Sequence, residues 1–535
     1  MIPADLVLVN GEIHTVDAGD SIVESIAIGN GRVLATGSST EMRALGANGA
    51  QFVDLNGRTV LPGFIDAHVH LGAFGTNMLG IDCKAPGMQS IDAIKRAIRE
   101  RARTVPPGTW IRAHGYDHTR LAEQRHPNRV DLDDAAPDHP VLVVRTCVHI
   151  AAANSRALEL AGISDQTPDP PGGRYERAAG RNSGVAIDAA LGPLLAASGH
   201  SREEMKTALQ LANAEFLRAG ITSCHDAGAM SDEQIPALLE CVRESSIDVR
   251  VYFMVWLALG IKQALQYLDT GLSTGFGNDR LKLGPFKIMT DGASSGPTAA
   301  TRQPYDSQPC SCGILYYDQN ELNHLVERAH LAGFQVTAHA VGDRAIEMML
   351  NAYERVLAAH PKSNHRHRLE HCAICPPDLV QRIARLGIIP VLQPAFFWEF
   401  GEGYQRNYGT ERTEQMFPAR SLLDAGVIVA GSSDTPVTDH RPLFGIQQAL
   451  SRATQEGSTG GDRETISLRE AIRMYTINAA YASFEENIKG SLEVGKLADL
   501  VVLGGSLAHT APSRIAKLPI EATLIDGRTR FGSLG

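Results

Sequence analysis

Cysteine is scarce: 8 residues in a chain of 535 are too dilute for a disulfide framework. Two close pairs stand out, Cys310/Cys312 and Cys372/Cys375. A C-x-x-C such as the second can serve redox chemistry or half a zinc site, but no second C-x-x-C and no thioredoxin-like context completes it. Ordinary reduced cysteines are the expectation. Long apolar runs are also missing. The longest uncharged apolar stretch, 251–261, falls far short of the ~20 residues a membrane helix needs. The opening MIPADLVLVNGEIHTVD has no basic segment followed by an apolar one, so it does not read as a secretory signal, and a cytoplasmic address is expected. Basic charge is not in excess either. A formal net charge of −10 lacks the footprint of a nucleic-acid binder. Internal repeats and low-complexity tracts are absent.

What is present is the composition of a soluble globular protein, with 43% hydrophobic and 21% charged residues. The length suits several domains or one large barrel with additions. Residues 4–60 read as short strands with turns at Asn10-Gly11 and Asn30-Gly31, both hairpin signals. The far end repeats this style in SLEVGKLADLVVLGG and IEATLIDGRTRF, with Asp526-Gly527 as the turn. Two β segments at opposite ends of a chain can share one small sandwich.

The middle alternates differently. Apolar strand-like runs at 61–70, 221–226, 249–256, 281–289, 334–340, 366–371, 387–393 and 427–434 are separated by helical patterns. One such pattern is ELNHLVERAHLAG (321–333), with a basic last turn and Gly333 as its stop. Eight βα units point to an α/β fold: a (β/α)₈ TIM-type barrel around a buried parallel sheet. The expected organisation is 1–60 and 476–535 as the two parts of the sandwich and 61–475 as the barrel. Residues ~82–200 do not fit the cadence. They read as an insertion after the first barrel strand, expected to lie over the barrel mouth.

His68-Val69-His70 ends the first barrel strand. Side chains two apart on a strand share a face, so both imidazoles can grip one ion. A lone H-x-H is weak evidence, since a buried histidine is commonly a satisfied core residue. Lys287, His339, His371 and Asp434 change that, because each lies at or near the C-terminal end of a different expected strand, the rim where barrel active sites form. Neutral imidazoles suit Zn²⁺ and a carboxylate completes such a site. An ammonium has no lone pair, but burial lowers a lysine's pKa, and the neutral amine can react with CO₂ to give a carbamate. The plain alternative for Lys287 is an ion pair with an acid such as Asp291. Glu370, beside His371, is expected on the opposite face in a structural role. No G-x-S-x-G elbow between a strand and a helix is identified for serine catalysis.

LPGFIDAHVH, FKIMTDG, VTAHAVGD, HRLEHC, GSSDTPV and GSLEVGKLADLVVL together resemble the amidohydrolase superfamily. GYDHTRL, HIAAANSRALELAGI and DGASSGPTAA are similar to its branch of N-substituted formamide deformylases. The resemblance implies His68, His70, His339 and His371 as metal ligands, Lys287 as a carbamylated bridge, and Asp434 as ligand and general base. One or two divalent ions, zinc first among them, are the implied cofactor. The branch often carries an Arg where this chain has Pro297, which implies a different substrate. Tyr116, Asp117, His118, His149 and His225 are candidates for substrate contact. The expected reaction is hydrolysis of a C–N amide-type bond in a small molecule. Deamination of an aminated heterocycle, lactone opening and metal-assisted decarboxylation are alternatives at the same site, and a metal-free scaffold would have lost ligands that are all present. The expected partner is the small-molecule substrate, without nucleic acid or membrane and with a homodimer left open.

Overall fold

The computed structural model describes residues 3–45, 49–84, 86–145, 150–171, 173–229, 231–256 and 261–534. Its centre is an eight-stranded parallel sheet: β1 Phe64–Val69, β2 Ile221–Asp226, β3 Arg250–Val255, β4 Leu281–Met289, β5 Val336–Ala340, β6 Arg368–His371, β7 Ile389–Leu392 and β8 Ala430–Gly431. Spatial order follows sequence order, as in a barrel. Helices follow in turn, among them Gln319–Leu331, Asp343–Ala359 and Pro377–Leu386. The first begins ahead of the segment its apolar spacing marks, because Asp318 and Glu321 form a capping box; Gly333 then ends it at φ 85°.

Alternation within β1 explains the division of labour. Ile65 and Ala67 join a cluster with Val391, Ala430 and the alanines of the helix Ile477–Ala482. Asp66 and His68 take the other face and are fully buried. The last strand is shorter than its apolar run, because the chain leaves the ladder at Gly431. Three hydrogen bonds replace the missing pairing: Ser433 N–H donates to Asp66 Oδ1 (3.0 Å), Asp434 N–H to the His68 carbonyl (2.9 Å) and His70 N–H to the Thr435 carbonyl (2.9 Å).

Of two further sheets, one is built from N-terminal strands alone and the other joins strands from both ends of the chain. One has the order Arg32–Gly37, Ser25–Gly29, Leu6–Val9, Gln51–Asp54; the other runs Arg528–Gly532, Ile520–Ile525, Leu500–Leu503, Thr59–Pro62, Glu12–His14, Ile22–Val23. Leu6, Ile26, Val53, Val60, Leu500 and Leu524 belong to one buried cluster. Asn30-Gly31 and Asp526-Gly527 are hairpin turns with both residues at positive φ. Asn10-Gly11 is not. Leu6–Val9 and Glu12–His14 lie in different sheets, and left-handed Asn10 (φ 55°) marks the crossing.

The insertion is a compact unit of its own, Gly72–Ala212 with Ser231–Glu240, wider than the irregular stretch suggests because flanking helical segments pack into it. Its six-stranded sheet runs Gly173–Ala178, Arg181–Asp188, Ile150–Ala153, Val141–Arg145, Ile111–Tyr116, Ile81–Asp82. No helix among the described residues is long and apolar enough to cross a membrane, and the seven cysteines among them form no disulfide.

Asp499, from the ADLVVL motif, ties the terminal strands to the barrel. Its carboxylate takes Arg250 Nε (2.7 Å) and Nη2 (3.0 Å), and Arg250 Nη2 also reaches Asp526 (2.6 Å). The Arg250 and Asp499 side chains are 3% and 4% exposed. Asp499→Ala removes the more buried of the two carboxylates that face the guanidinium and should cost about 2 kcal/mol in chemical denaturation, whereas Arg250→Met with Asp499→Leu should recover much of that loss. Equal stability of the single variant and the wild type would contradict this account.

Candidate metal centre

The barrel rim gathers the residues singled out by the sequence. Donor atoms of His68, His371 and Asp434 lie within 4.8 Å of one another. His68 Nε2 and His70 Nε2 are each 3.4 Å from Asp434 Oδ1, and Lys287 Nζ is 3.3 Å from His68 Nε2. The His339 ring lies 4.5 Å from that of His371, and the His371 ring 5.1 Å from that of His68. Trp256 and Phe396 flank the group: Lys287 Nζ is 5.5 Å from the Trp256 ring, and Phe396 stacks on His371 at 6.1 Å.

Three imidazoles are held from behind. His68 Nδ1–H donates to Glu370 Oε2 (2.6 Å), His371 Nδ1–H to Gln393 Oε1 (2.9 Å) and His339 Nε2–H to the Gly292 carbonyl (3.0 Å). Each bond fixes a tautomer and leaves the other nitrogen as a lone pair. Burial, with Lys287 and neighbouring imidazoles adding to it, keeps all four rings neutral. His70 is lowered to about 3 and His339 to about 4, and His68 and His371 lie well below the usual value.

The local backbone is unusual where the ligand candidates sit. His371 has φ 71° and Asp434 φ 57°. Left-handed backbone is uncommon outside glycine, but His and Asp adopt it more readily than most side chains, and such positions cluster at functional sites. At His371 the reversal breaks the two-residue alternation of β6. Glu370 was expected on the far face as a structural residue. Instead it points inward, fully buried, and receives His68, Thr337 and Arg368.

Other expectations separate. The Lys287–Asp291 pairing is not formed, because Asp291 accepts backbone N–H groups from Ala300 (2.9 Å), Val341 (3.0 Å) and Gly342 (2.9 Å). His225 is buried inside the barrel, where its Nδ1 accepts from Arg368 Nη1 (3.0 Å) and its ring packs on Tyr252. Tyr116, Asp117 and His118 belong to the second unit. There Tyr116 meets His126 Nδ1 (2.9 Å), and Arg145 holds both Asp117 (2.8 Å) and His118 (3.1 Å). His149 lies outside the described residues. The letters G-x-S-x-G do occur at 271–275 and 292–296, but both segments are loops that open no helix. Ser294 in the second is buried against the Tyr404 hydroxyl (3.1 Å). Asp434 is pushed up to about 7 by burial, which outweighs the attraction of Lys287. Lys287 is itself lowered by burial.

The amidohydrolase family profile matches residues 51–531. The chain belongs to the amidohydrolase family. It is 32% identical over 99% of both chains to an N-substituted formamide deformylase of Arthrobacter pascens. It is 31% identical, over 97% of this chain and 98% of the other, to the putative amidohydrolase YtcJ of Bacillus subtilis. Among solved structures, an uncharacterized metal-dependent hydrolase of Pyrococcus furiosus superposes with a TM-score of 0.78 at 26% identity, over 95% of this chain and 99% of that one. Amidohydrolase members are enzymes, and nothing in the rim described above departs from that.

The electrostatics give a sign for cation uptake. The imidazoles are already neutral at pH 7, so they add little competition from protons, whereas the Asp434 carboxyl is protonated below about 7 and must ionise to bind. Affinity of the metal-free protein for Zn²⁺ should therefore rise with pH up to about 7, by at most tenfold per unit for that proton, and then flatten. Dissociation constants from chelator competition at several pH values check this; a pH-independent affinity would contradict it.

Proposed function

We propose that the protein is a metal-dependent hydrolase that cleaves a C–N amide-type bond, in an amide, N-formyl or N-acyl amine, of a small molecule. The observation that carries the reading is the convergence of the neutral imidazoles of His68, His70 and His371 on the buried Asp434 carboxylate, with His339 against His371 and three of the four rings hydrogen-bonded from behind. The donor set fits a divalent cation. His70 Nδ1 and Asp434 Oδ1 are buried without a hydrogen-bond partner, and a cation satisfies such a carboxylate oxygen where another carboxylate cannot. His68, His70, His339, His371 and Asp434 would hold one or two ions, zinc by the preference for imidazole with one carboxylate. Lys287 would join them as the carbamate, since burial favours the neutral amine that reacts with CO₂. Bound there, the metal supplies Lewis acidity, polarising a carbonyl and acidifying water.

The residues supply the rest. Asp434 accepts a proton from the attacking water as the water oxygen bonds to the carbonyl carbon. It then returns that proton to the nitrogen as the C–N bond breaks, so that a carboxylic acid and an amine leave. Trp256 and Phe396 keep the surroundings apolar beside the reacting group. The relative from Arthrobacter pascens supports an N-substituted formamide as one substrate to try. Pro297, at a position where that branch often carries Arg, favours a different N-substituent.

Prolonged chelation should abolish turnover of a panel of formamides, N-acyl amines and lactams, and added Zn²⁺ or Mn²⁺ should restore it. Full activity in protein that elemental analysis finds metal-free would overturn the reading. Asp434→Asn keeps the shape and one metal contact but loses the base. Measured at saturating Zn²⁺, where the histidines hold the metal, it should lower kcat by about 10²–10⁴-fold. Near-wild-type kcat at equal metal content would move the proton-transfer role to another residue.

A further inference from the structure

One charged pair at the centre of the barrel is unexplained by stability alone. Arg368 and Glu370 lie two apart on β6, and both side chains are completely buried. Arg368 Nε donates to Glu370 Oε1 (2.9 Å) and its Nη2 to Oε2 (3.1 Å), a two-pronged match of guanidinium to carboxylate. The remaining contacts lead to β1 and β2, on other sides of the barrel. Arg368 Nη2 also donates to the Ala67 carbonyl (2.7 Å), and Nη1 donates to His225 Nδ1 (3.0 Å). Glu370 Oε2 takes the proton of His68 Nδ1 at 2.6 Å, and Thr337 on β5 donates its hydroxyl to Oε1.

The pair therefore holds His68 twice, by the carbonyl of the residue before it and by its ring. In the ordered barrel β6 is not a neighbour of β1, so these bonds run through the interior and not along the sheet. Burying a charged pair is commonly no more stabilising than well-packed apolar side chains of equal volume. A role in orientation explains what burial energy does not. With Glu370 fixed as an acceptor, His68 must carry its proton on Nδ1, and its Nε2 lone pair must face Lys287 and Asp434.

We propose that Arg368 and Glu370 are positioning residues for the metal centre, acting by setting the tautomer and ring orientation of His68. The inference rests on the metal-dependent reading above, and it concerns a hydrogen-bonded support and not a ligand. His225 shares the same guanidinium, so its part in the site is to steer Arg368 from the side opposite Glu370.

The test uses Glu370→Gln, with Thr337→Val as a milder variant that removes one hydrogen bond to Glu370 and spares the charged pair. Two measurements are made on metal-free full-length protein: Zn²⁺ affinity by chelator competition, and histidine-ring ¹⁵N shifts, with the His68 signal identified by its loss in His68→Ala. The wild type should show His68 as the Nδ1–H tautomer. Glu370→Gln should lose that single tautomer and bind Zn²⁺ about 10–100-fold more weakly, the usual cost of removing such a support. Thr337→Val should move both readouts in the same direction by a smaller factor, and it decides the matter if Glu370→Gln does not fold. Wild-type tautomer and affinity in the folded variants overturn the positioning role and leave the hydrolase reading intact. A wild-type protein that takes up no Zn²⁺ or Mn²⁺ overturns both.

Discussion

The first and last strands of the barrel meet through a seam that the ordinary β ladder does not supply. Asp434 N–H reaches the His68 carbonyl, His70 N–H reaches the Thr435 carbonyl, and Ser433 N–H reaches the Asp66 carboxylate. Because strand β8 is only two residues long, these contacts close the ring of strands. They also decide the chemistry. The H-x-H of the first strand and the carboxylate of the last are distant in the chain, and the seam puts them 3.4 Å apart. Asp66 shares in it from the inner face of β1, its second carboxylate oxygen buried and unpaired, and burial pushes its pKa up to about 7. Lys287, His339 and His371 are then brought to the same place by three intervening strands whose register is ordinary parallel pairing.

Burial dominates the electrostatics of this centre. It drives imidazoles toward their neutral form and carboxylic acids toward theirs, and it works against the ammonium of Lys287. The polypeptide alone supplies no permanent cation beside Asp434 other than that lysine. Arg368, which is permanently charged, is instead spent on Glu370. The arrangement leaves basic nitrogens and one strained carboxylate facing each other with the positive charge directed elsewhere. That is a donor set suited to a divalent cation, to which His68 Nε2 would turn from its contact with Lys287 Nζ.

Much of this was legible in the sequence because strand ends carry their own marks. Apolar runs alternating with helical patterns gave all eight barrel strands, six of them marked by His, Lys or Asp at or near their ends, and spacing by two placed His68 and His70 on one face. The hairpins at Asn30-Gly31 and Asp526-Gly527 were equally plain, since both positions need positive φ and carry residues that tolerate it. Asn10-Gly11 carries the same letters but joins two sheets, and letters do not say which strand is the partner. Glu370 was hidden for a different reason. Alternation forbids two neighbouring residues on one face, and only the φ of His371 breaks the rule. Arg368 carries a readable signal in hindsight: an arginine and a glutamate two apart on a barrel strand share a face, and a buried face demands that they pair.

The left-handed residue at the end of β6 has a further consequence for how densely a strand can serve a pocket. A regular strand delivers one inward side chain for every two residues, and the intervening one is lost to the outside. With the turn at His371, the strand delivers Glu370 and His371 consecutively, a support and a ligand candidate for different partners, from a single step of chain. Such economy makes the segment intolerant of translation. Moving it by one residue onto a regular scaffold, or inserting one residue ahead of it, would send either the carboxylate or the imidazole out among the helices. The dipeptide is thus a unit whose backbone conformation is as much part of its specification as its two side chains.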